Sequence, residues 1–132
     1  MKNLWPLFII AICLTGCSSQ NVRGEFDESL RTYNESLRWR AWDKTSLFPA
    51  PSILEEFNRR IAEAVNVRVV DYRIVSETYS EEHREATVKV EIDYYKVSSQ
   101  TVRTLYDTQK WAYLEEDGTK GWRLLSLLPE FR

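Results

Sequence analysis

The sequence predicts an α+β domain in which two N-terminal helices pack on a curved antiparallel sheet of about four strands. Apolar residues recur every three or four positions from about residue 25 to residue 65, which is the period of an amphipathic helix. After Asn66 the apolar period changes to two, and polar turns separate the later segments. Helices followed by a run of strands are typical of the α+β class.

The two predicted helices cover residues 25–44 and 52–65. The apolar positions of the first helix recur at steps of four, three, four and four residues and therefore share one face: Phe26, Leu30, Tyr33, Leu37 and Ala41. Pro49 and Pro51 separate the helices. Ser52 and Glu55 form the capping-box pattern that begins a helix. The predicted buried face of the second helix consists of Leu54, Phe57, Ile61 and Val65.

Four strands are predicted after Asn66. The first covers residues 67–79, and its inward parity shifts between Val69 and Tyr72, which predicts a β-bulge near Val70 and Asp71. The second strand is the clearest, because its apolar residues alternate with polar ones: Ala86, Val88, Val90, Ile92 and Tyr94. Residues 101–114 form the third strand, and a hairpin loop at residues 117–121 leads to the fourth strand at residues 122–128.

The first sixteen residues have the pattern of a signal segment. Lys2 supplies the positive start, and residues 4–14 form a short apolar run broken only by Pro6. That run is shorter than the roughly 20 apolar residues of a membrane-spanning helix. We therefore expect residues 1–16 to be a signal peptide that is removed from the protein.

The end of this segment, Leu14-Thr15-Gly16-Cys17, resembles the lipobox of bacterial lipoproteins. The resemblance implies cleavage between Gly16 and Cys17, with acyl chains of the palmitate type attached through a diacylglyceryl group to the Cys17 sulfur. Residues 17–24 are then expected to form a lipidated tether, and residues 25–132 the folded domain. The alternative is an ordinary secretory signal that contains a cysteine, but the position and spacing favour the lipobox.

The order of elements and the closing hairpin resemble the NTF2-like (cystatin-like cone) superfamily. The hairpin residues are Trp111-Ala112-Tyr113-Leu114-Glu115-Glu116-Asp117-Gly118, followed by Gly121-Trp122-Arg123-Leu124. Many such domains end with a strand, a glycine-containing turn and a strand that begins with Trp. The chain is also similar to uncharacterised NTF2-like lipoproteins of Gram-negative bacteria, a similarity that implies no particular activity.

Several chemistries lack the residues that they need. The chain has one His and two Cys, and Cys13 and Cys17 both precede the predicted domain. A zinc site and Cys/His catalysis are therefore not expected, nor is any metal or cofactor. His83 lies in a charged turn and is predicted to be solvated. The mildly acidic balance, with a formal net charge of −2, also argues against nucleic acid as a partner.

Three aspartates are candidates for the catalytic acid or base that enzymes of the cone superfamily place inside the sheet. They are Asp71, Asp93 and Asp107. Asp93 has the parity of the wet face and is predicted to point outward. Asp71 lies at the parity shift and could point either way, so an NTF2-like enzyme that uses Asp71 is the third hypothesis for function. The leading expectation is that no residue is catalytic.

Aromatic residues give the other two hypotheses. One set either fills the core or lines a pocket for a small apolar ligand, which would make the protein a carrier: Tyr33, Tyr72, Tyr94, Trp111 and Trp122. Trp39 and Trp42 lie behind the apolar stripe of the first helix. They are either covered by neighbouring elements or form an exposed patch for a partner or the membrane interface. The leading hypothesis is a non-enzymatic envelope lipoprotein, held to the membrane through Cys17, that binds another envelope protein.

Residue 18 predicts which membrane holds the protein. In enteric-type bacteria, Asp directly after the lipidated Cys favours retention in the inner membrane, and this chain has Ser18. By resemblance to that rule, we expect residence in the outer membrane with the domain facing the periplasm. Fractionation should recover the natural protein with outer membranes and a Ser18→Asp variant with inner membranes. Recovery of the natural protein with inner membranes would contradict the predicted location. Identical fractionation of both forms would show that residue 18 does not determine the membrane in which the protein resides.

Overall fold

The computed structural model describes the backbone of residues 18–132 and the side chains from residue 21 onward, so the predicted signal peptide and Cys17 lie outside the described residues. The helices are α1 (Ser18–Arg38), α2 (Trp42–Thr45) and α3 (Leu54–Glu63), with a short 3-10 helix at Pro51–Ile53. The strands are β1 (Val67–Ser80), β2 (Glu85–Lys96), β3 (Arg103–Glu116) and β4 (Thr119–Leu124). They form one antiparallel sheet in the order β1-β2-β3-β4, which confirms the α+β class.

Helix α1 begins at Ser18, so residues 18–24, which were predicted to belong to a tether, are helical. Val22 is only 8% exposed and extends the apolar stripe of Phe26 and Leu30 by one turn. The indole Nε1 of Trp122 donates a hydrogen bond to the Val22 carbonyl oxygen at 2.8 Å. This first turn of the helix was not predicted, because Val22 is a single apolar residue among polar neighbours. No helix among residues 18–132 is long and apolar enough to cross a membrane.

Helix α1 ends at Arg38, six residues before its predicted end, because a Schellman motif closes it. Arg40 has a left-handed backbone with φ 54°. Its N–H donates to the Leu37 carbonyl at 3.2 Å, and the Ala41 N–H donates to the Ser36 carbonyl at 2.9 Å. These two bonds satisfy carbonyls that would otherwise lack a partner at the helix end. The motif usually contains glycine, and its absence here hid the helix end from sequence reasoning.

Helix α3 differs from the predicted second helix at both ends. Ser52 lies inside the 3-10 helix, and α3 begins after Ile53 without a side-chain cap, so the predicted capping box is wrong. Phe57 is fully buried as expected. Val65 is 61% exposed because the helix ends at Glu63, and Ala64 is buried in its place.

The sheet follows the predicted alternation most closely in β2. Its five predicted inward residues are each at most 4% exposed: Ala86, Val88, Val90, Ile92 and Tyr94. In β1, the predicted bulge falls between Val69 and Asp71, and a second, unpredicted bulge falls between Ile74 and Ser76. The hairpin from β3 to β4 is tighter than predicted, because Asp117 and Gly118 turn the chain with φ values of 50° and 76°.

Helix α1 is fastened to β1 by polar contacts along one flank. Asp71, Tyr72 and Glu77 of the strand each meet a residue of the helix, in the following pairs: Arg23 with Glu77 at 2.7 Å, Glu35 with the Tyr72 hydroxyl at 3.0 Å, and Arg38 with Asp71 at 3.9 Å. The Arg23 guanidinium also lies over the Tyr79 ring, 4.1 Å from its centre. Helix α1 therefore runs beside β1 with its first turns held at the strand's end.

The register of β2 predicts a large difference between two neighbouring substitutions. Val88 is fully buried, whereas Thr87 faces solvent opposite Lys110. Val88→Asp would bury an unpaired carboxylate and cost at least several kcal/mol, which is most of the stability of a small domain. Thr87→Asp should change the free energy of unfolding by less than about 1 kcal/mol. Urea unfolding of both variants checks this, and similar midpoints would contradict the register.

Candidate functional site

The predicted pocket aromatics Tyr33, Trp111 and Trp122 lie within the core, where other rings fill the space beside them. The Tyr33 and Trp111 rings meet edge to face with centres 5.6 Å apart. Phe26 packs on Trp122 at 4.8 Å, and Phe48 packs on Trp111 at 6.0 Å. This part of the predicted set therefore forms an aromatic core instead of a pocket wall.

Tyr94 and Tyr72, the other two predicted pocket residues, belong to or pack against the same hydrophobic core, but in the described structure their rings do not contact these three. The Tyr94 ring packs edge to face on Phe131, and its hydroxyl pairs with the Arg132 backbone. The Tyr72 hydroxyl donates to Glu35 at the helix flank. Among the cavities of the described residues, Tyr94 borders one of about 70 Å³ and Trp122 another of about 400 Å³. The structure does not bring the five residues together around one cavity.

A buried polar cluster lies between α1 and β3. The side-chain amides of Asn34 and Gln109 pair reciprocally, with N to O distances of 2.8 and 3.3 Å. Asn34 also donates to the Leu30 carbonyl at 2.8 Å, and Gln109 donates to Asp107 Oδ2 at 3.0 Å. The Trp111 indole completes the cluster by donating to Gln109 Oε1 at 3.4 Å. These bonds link the middle of α1 to three inward positions of β3.

Asp107 is the titratable group of this cluster. It is 5% exposed, and burial raises the pKa of its carboxyl to about 6, while the hydrogen bond from Gln109 acts in the opposite direction. Burial, together with the Asp107 charge, raises the pKa of Tyr33 well above its usual value, and the Tyr33 hydroxyl has no hydrogen-bond partner in the described structure. A carboxyl that titrates near pH 6 beside a tyrosine has the chemistry of an acid or base.

The three candidate aspartates occupy different surroundings, and the one singled out by sequence is not inside the sheet. The Asp71 side chain is half-exposed and pairs in register with Asp93, so both belong to the outer face beside Arg73. Asp107 instead lies opposite the buried Val90 and shares its parity with Gln109. Alternation along β3 could have identified it, but two polar residues at inward positions weakened that signal.

The predicted partner patch, Trp39 and Trp42, is divided by the end of α1. Trp39 is 71% exposed, with its indole N–H bonded to Glu35 at 2.9 Å and the Arg38 guanidinium 5.5 Å from its ring centre. Trp42 begins α2 and packs half-buried against the core. One exposed indole therefore remains of the predicted pair. His83 lies in the turn before β2 with its side chain 68% exposed.

Comparison with known proteins identifies a fold relative but no family. No protein family matches the sequence, and no curated protein does. The structure is similar to that of a SEC-C motif containing protein from Psychrobacter arcticus, with a TM-score of 0.62 and 10% identity over 81% of this chain. This chain spans 62% of that protein's length. The intermembrane space region of the chloroplast protein ARC6 also matches, with a TM-score of 0.45 and 13% identity over 82% of this chain and 90% of its own. At these identities the first likeness concerns the fold alone.

Asp107 predicts an unusual dependence of stability on pH. Its pKa is higher in the folded chain than the usual 3.8, so the unfolded chain loses its proton first, and stability falls as the pH rises from about 4 to about 6. At about 1.4 kcal/mol per pKa unit, the penalty at neutral pH is roughly 3 kcal/mol. Asp107→Asn should therefore raise the free energy of unfolding at pH 7.5 and leave it little changed near pH 3.5.

Asp93 provides the matched control for that measurement. The Thr104 hydroxyl, and then Arg73, lower the pKa of Asp93, so its charge stabilises the fold above the usual carboxyl pKa. Asp93→Asn should lower stability at pH 7.5, in the opposite direction to Asp107→Asn. Chemical unfolding at several pH values checks both signs. If Asp107→Asn destabilises the protein at pH 7.5 as Asp93→Asn does, the charged carboxylate of Asp107 is not a cost to the fold.

Proposed function

We propose that this chain is a lipid-anchored protein of the bacterial envelope, whose domain is a non-enzymatic module that binds another envelope protein. The observation that carries the proposal is the lipobox-like Leu14-Thr15-Gly16-Cys17, which leads without a spacer into α1 at Ser18. A lipidated Cys17 would then be the residue before a helix that belongs to the folded domain. Lipid and domain would be joined without a long flexible linker.

The fastening of the first turns of α1 supports this arrangement. Arg23 bonds Glu77 and covers the Tyr79 ring, and the Val22 carbonyl accepts the Trp122 indole N–H. At 1.5 Å per residue, residues 18–24 rise only about 10 Å, half the reach of an extended tether of that length. The anchored domain would therefore lie close to the membrane, with the end where α1 starts facing it. By the Ser18 rule, that membrane is the outer one.

The filled interior supports recognition by a surface instead of an enclosed cavity. The space between helices and sheet holds packed rings, among them the Tyr33, Trp111 and Phe48 contacts. We further propose that the domain is an NTF2-like cone, since two main helices lie over a four-stranded antiparallel sheet whose first strand carries two bulges. In this interpretation the chain has the helices and sheet of the superfamily, and aromatic side chains fill the space between them.

An enzyme is the second candidate, and the buried pair of Asp107 and Tyr33 is the observation that favours it. A carboxyl with a pKa of about 6 suits proton transfer at neutral pH. Substrate would have to displace the rings that now cover the pair. The partner-binding proposal needs no such opening, so it takes precedence.

Lipidation is tested with the two cysteines as a matched pair. Cys17→Ser removes the acceptor sulfur, and we expect an unprocessed precursor or a soluble envelope protein. Cys13→Ser, four residues earlier, should leave the natural lipidated form unchanged. Labelling with a radioactive fatty acid, followed by membrane fractionation, distinguishes these results. A Cys17→Ser protein that loses its signal segment and still sediments with membranes would refute the anchor.

A further inference from the structure

The flank of α1 that faces β4 borders an open groove of about 400 Å³. Residues 25–32 of α1 form one wall, residues 121–123 of β4 form the other, and Leu47 and Phe48 lie at one end. On the opposite flank, the same helix is fastened to β1 by ion pairs and hydrogen bonds. On the groove side, the bond from the Trp122 indole to the Val22 carbonyl joins α1 to β4, the strand at the edge of the sheet.

The β4 wall of the groove carries backbone groups that can pair with another strand. The Leu124 N–H donates to the Phe48 carbonyl, and the Leu124 carbonyl accepts from the Ala50 N–H, both at 2.9 Å, so Leu124 directs its backbone groups away from β3. Directions alternate along a strand, so Lys120 and Trp122 direct theirs the same way. Neither residue has a backbone partner on that side in the described structure. The chain thus pairs one position of this edge and leaves the outward backbone groups of the next two unpaired in the described structure, with Trp122 itself only 3% exposed.

The α1 wall of the groove is acidic, whereas the β4 wall carries Arg123, whose guanidinium donates to the Leu47 carbonyl at 3.4 Å. Glu25 and Glu28 face the groove, and neither carboxylate has an ion-pair partner among the described side chains. Two further acidic turns lie outside the groove lining, and the bond from the Tyr113 N–H to the Arg84 carbonyl links the first of them to the strand that leads into the second. Those turns, at residues 80–85 and 115–120, carry six carboxylates against two cations: Glu81, Glu82, Glu85, Glu115, Glu116 and Asp117 against Arg84 and Lys120.

Apolar side chains at the other end of the groove would anchor an occupant. Leu47 is 69% exposed, which is high for a large apolar residue beside a cavity. Phe48 is half-buried next to it, and its backbone already pairs with β4.

We propose that this groove binds an extended, basic segment of a partner protein, which adds as a fifth strand along Lys120 and Trp122 of β4. Alternate side chains of the segment would face α1, where Glu25 and Glu28 recognise lysine or arginine and Leu47 receives an apolar residue. The inference deepens the proposed function, because it names the surface and the chemistry of the partner. A second copy of this chain is disfavoured as the occupant, since pairing through β4 would bring two acidic walls and hairpins together.

The test uses the purified lipidated protein in zwitterionic detergent micelles with three octapeptide probes. The first alternates Lys and Val, the second alternates Glu and Val, and the third is the first with N-methyl groups on alternate backbone nitrogens. We expect the Lys peptide to bind, with at least tenfold weaker binding of the other two. N-methylation leaves charge and side chains in place, so it isolates strand pairing from simple electrostatic attraction.

Protein variants assign the binding to the groove. The double variant Glu25→Lys/Glu28→Lys should bind the Lys peptide at least tenfold more weakly than the natural protein does, and it should bind the Glu peptide more tightly. Lys120→Pro removes one outward N–H without touching the bonds between β3 and β4, and should weaken binding of the Lys peptide at least fivefold. The double variant Glu55→Lys/Glu63→Lys changes two exposed residues of α3 by the same total charge, so it is the charge-matched control and should bind as the natural protein does. Thermal unfolding of each variant confirms that it is folded.

Three results would overturn the inference. They are equal binding of the Lys peptide by the natural protein and the double variant, equal binding of the N-methylated peptide, and self-association of the natural protein that Lys120→Pro abolishes. In-cell photo-crosslinking separates this inference from the proposed function. Crosslinks from position 39 but not from position 47 would refute the groove while leaving an interaction module. A Cys17→Ser protein that still binds the Lys peptide would leave the groove intact even if the anchor fails.

Discussion

The packing of α1 against the inner face of the sheet is the constraint on which the rest of the structure depends. One helix supplies the apolar stripe from Val22 to Leu37, and the inward residues of β2, such as Val88 and Val90, receive it with almost no exposure. Helices α2 and α3 and the C-terminal residues cover what α1 leaves open, as Leu128 and Phe57 show by their complete burial. A shift of α1 would therefore expose most of the core at once.

That constraint also explains why the two flanks of α1 differ. The helix covers the inner face of the sheet. Its ion pairs and hydrogen bonds to β1 are made by Arg23, Glu35 and Arg38. On the β4 side, residues 18–132 pair with the backbone of the sheet edge at Leu124, through Phe48 and Ala50. Exposed sheet edges are ordinarily blocked by charge, proline or a covering segment. Here the covering segment stops short, and the acidic turns supply charge that repels anionic partners and a second copy alike.

Sequence reasoning succeeded where the signal is local and failed where tertiary contacts decide. Alternation along β2 was unambiguous because both of its faces follow the rule, and the bulge near Val70 was visible as a break in parity. The second bulge, at Val75, does not produce a recognisable break in the apolar alternation, because the residues after it are polar on both faces of the strand. Arg40 adopts the left-handed conformation that ends α1, and because this position is usually glycine, the sequence did not indicate the helix end. Asp107 was named only as one of three candidates, since its inward position depends on how β3 pairs with Val90.

The cost of burying Asp107 raises the question of what the polar cluster contributes. The reciprocal amide pair of Asn34 and Gln109 can form in only one register of α1 against β3, whereas apolar stripes tolerate sliding by a turn. Sliding α1 by one turn would separate the Asn34 and Gln109 amides, and each buried amide would lose a hydrogen-bond partner at a cost of about 1–3 kcal/mol. The cluster therefore fixes the helix lengthwise, much as Trp122 holds it at Val22. Because Glu25 and Glu28 lie on the same helix, the position of the acidic wall opposite β4 follows from this internal register.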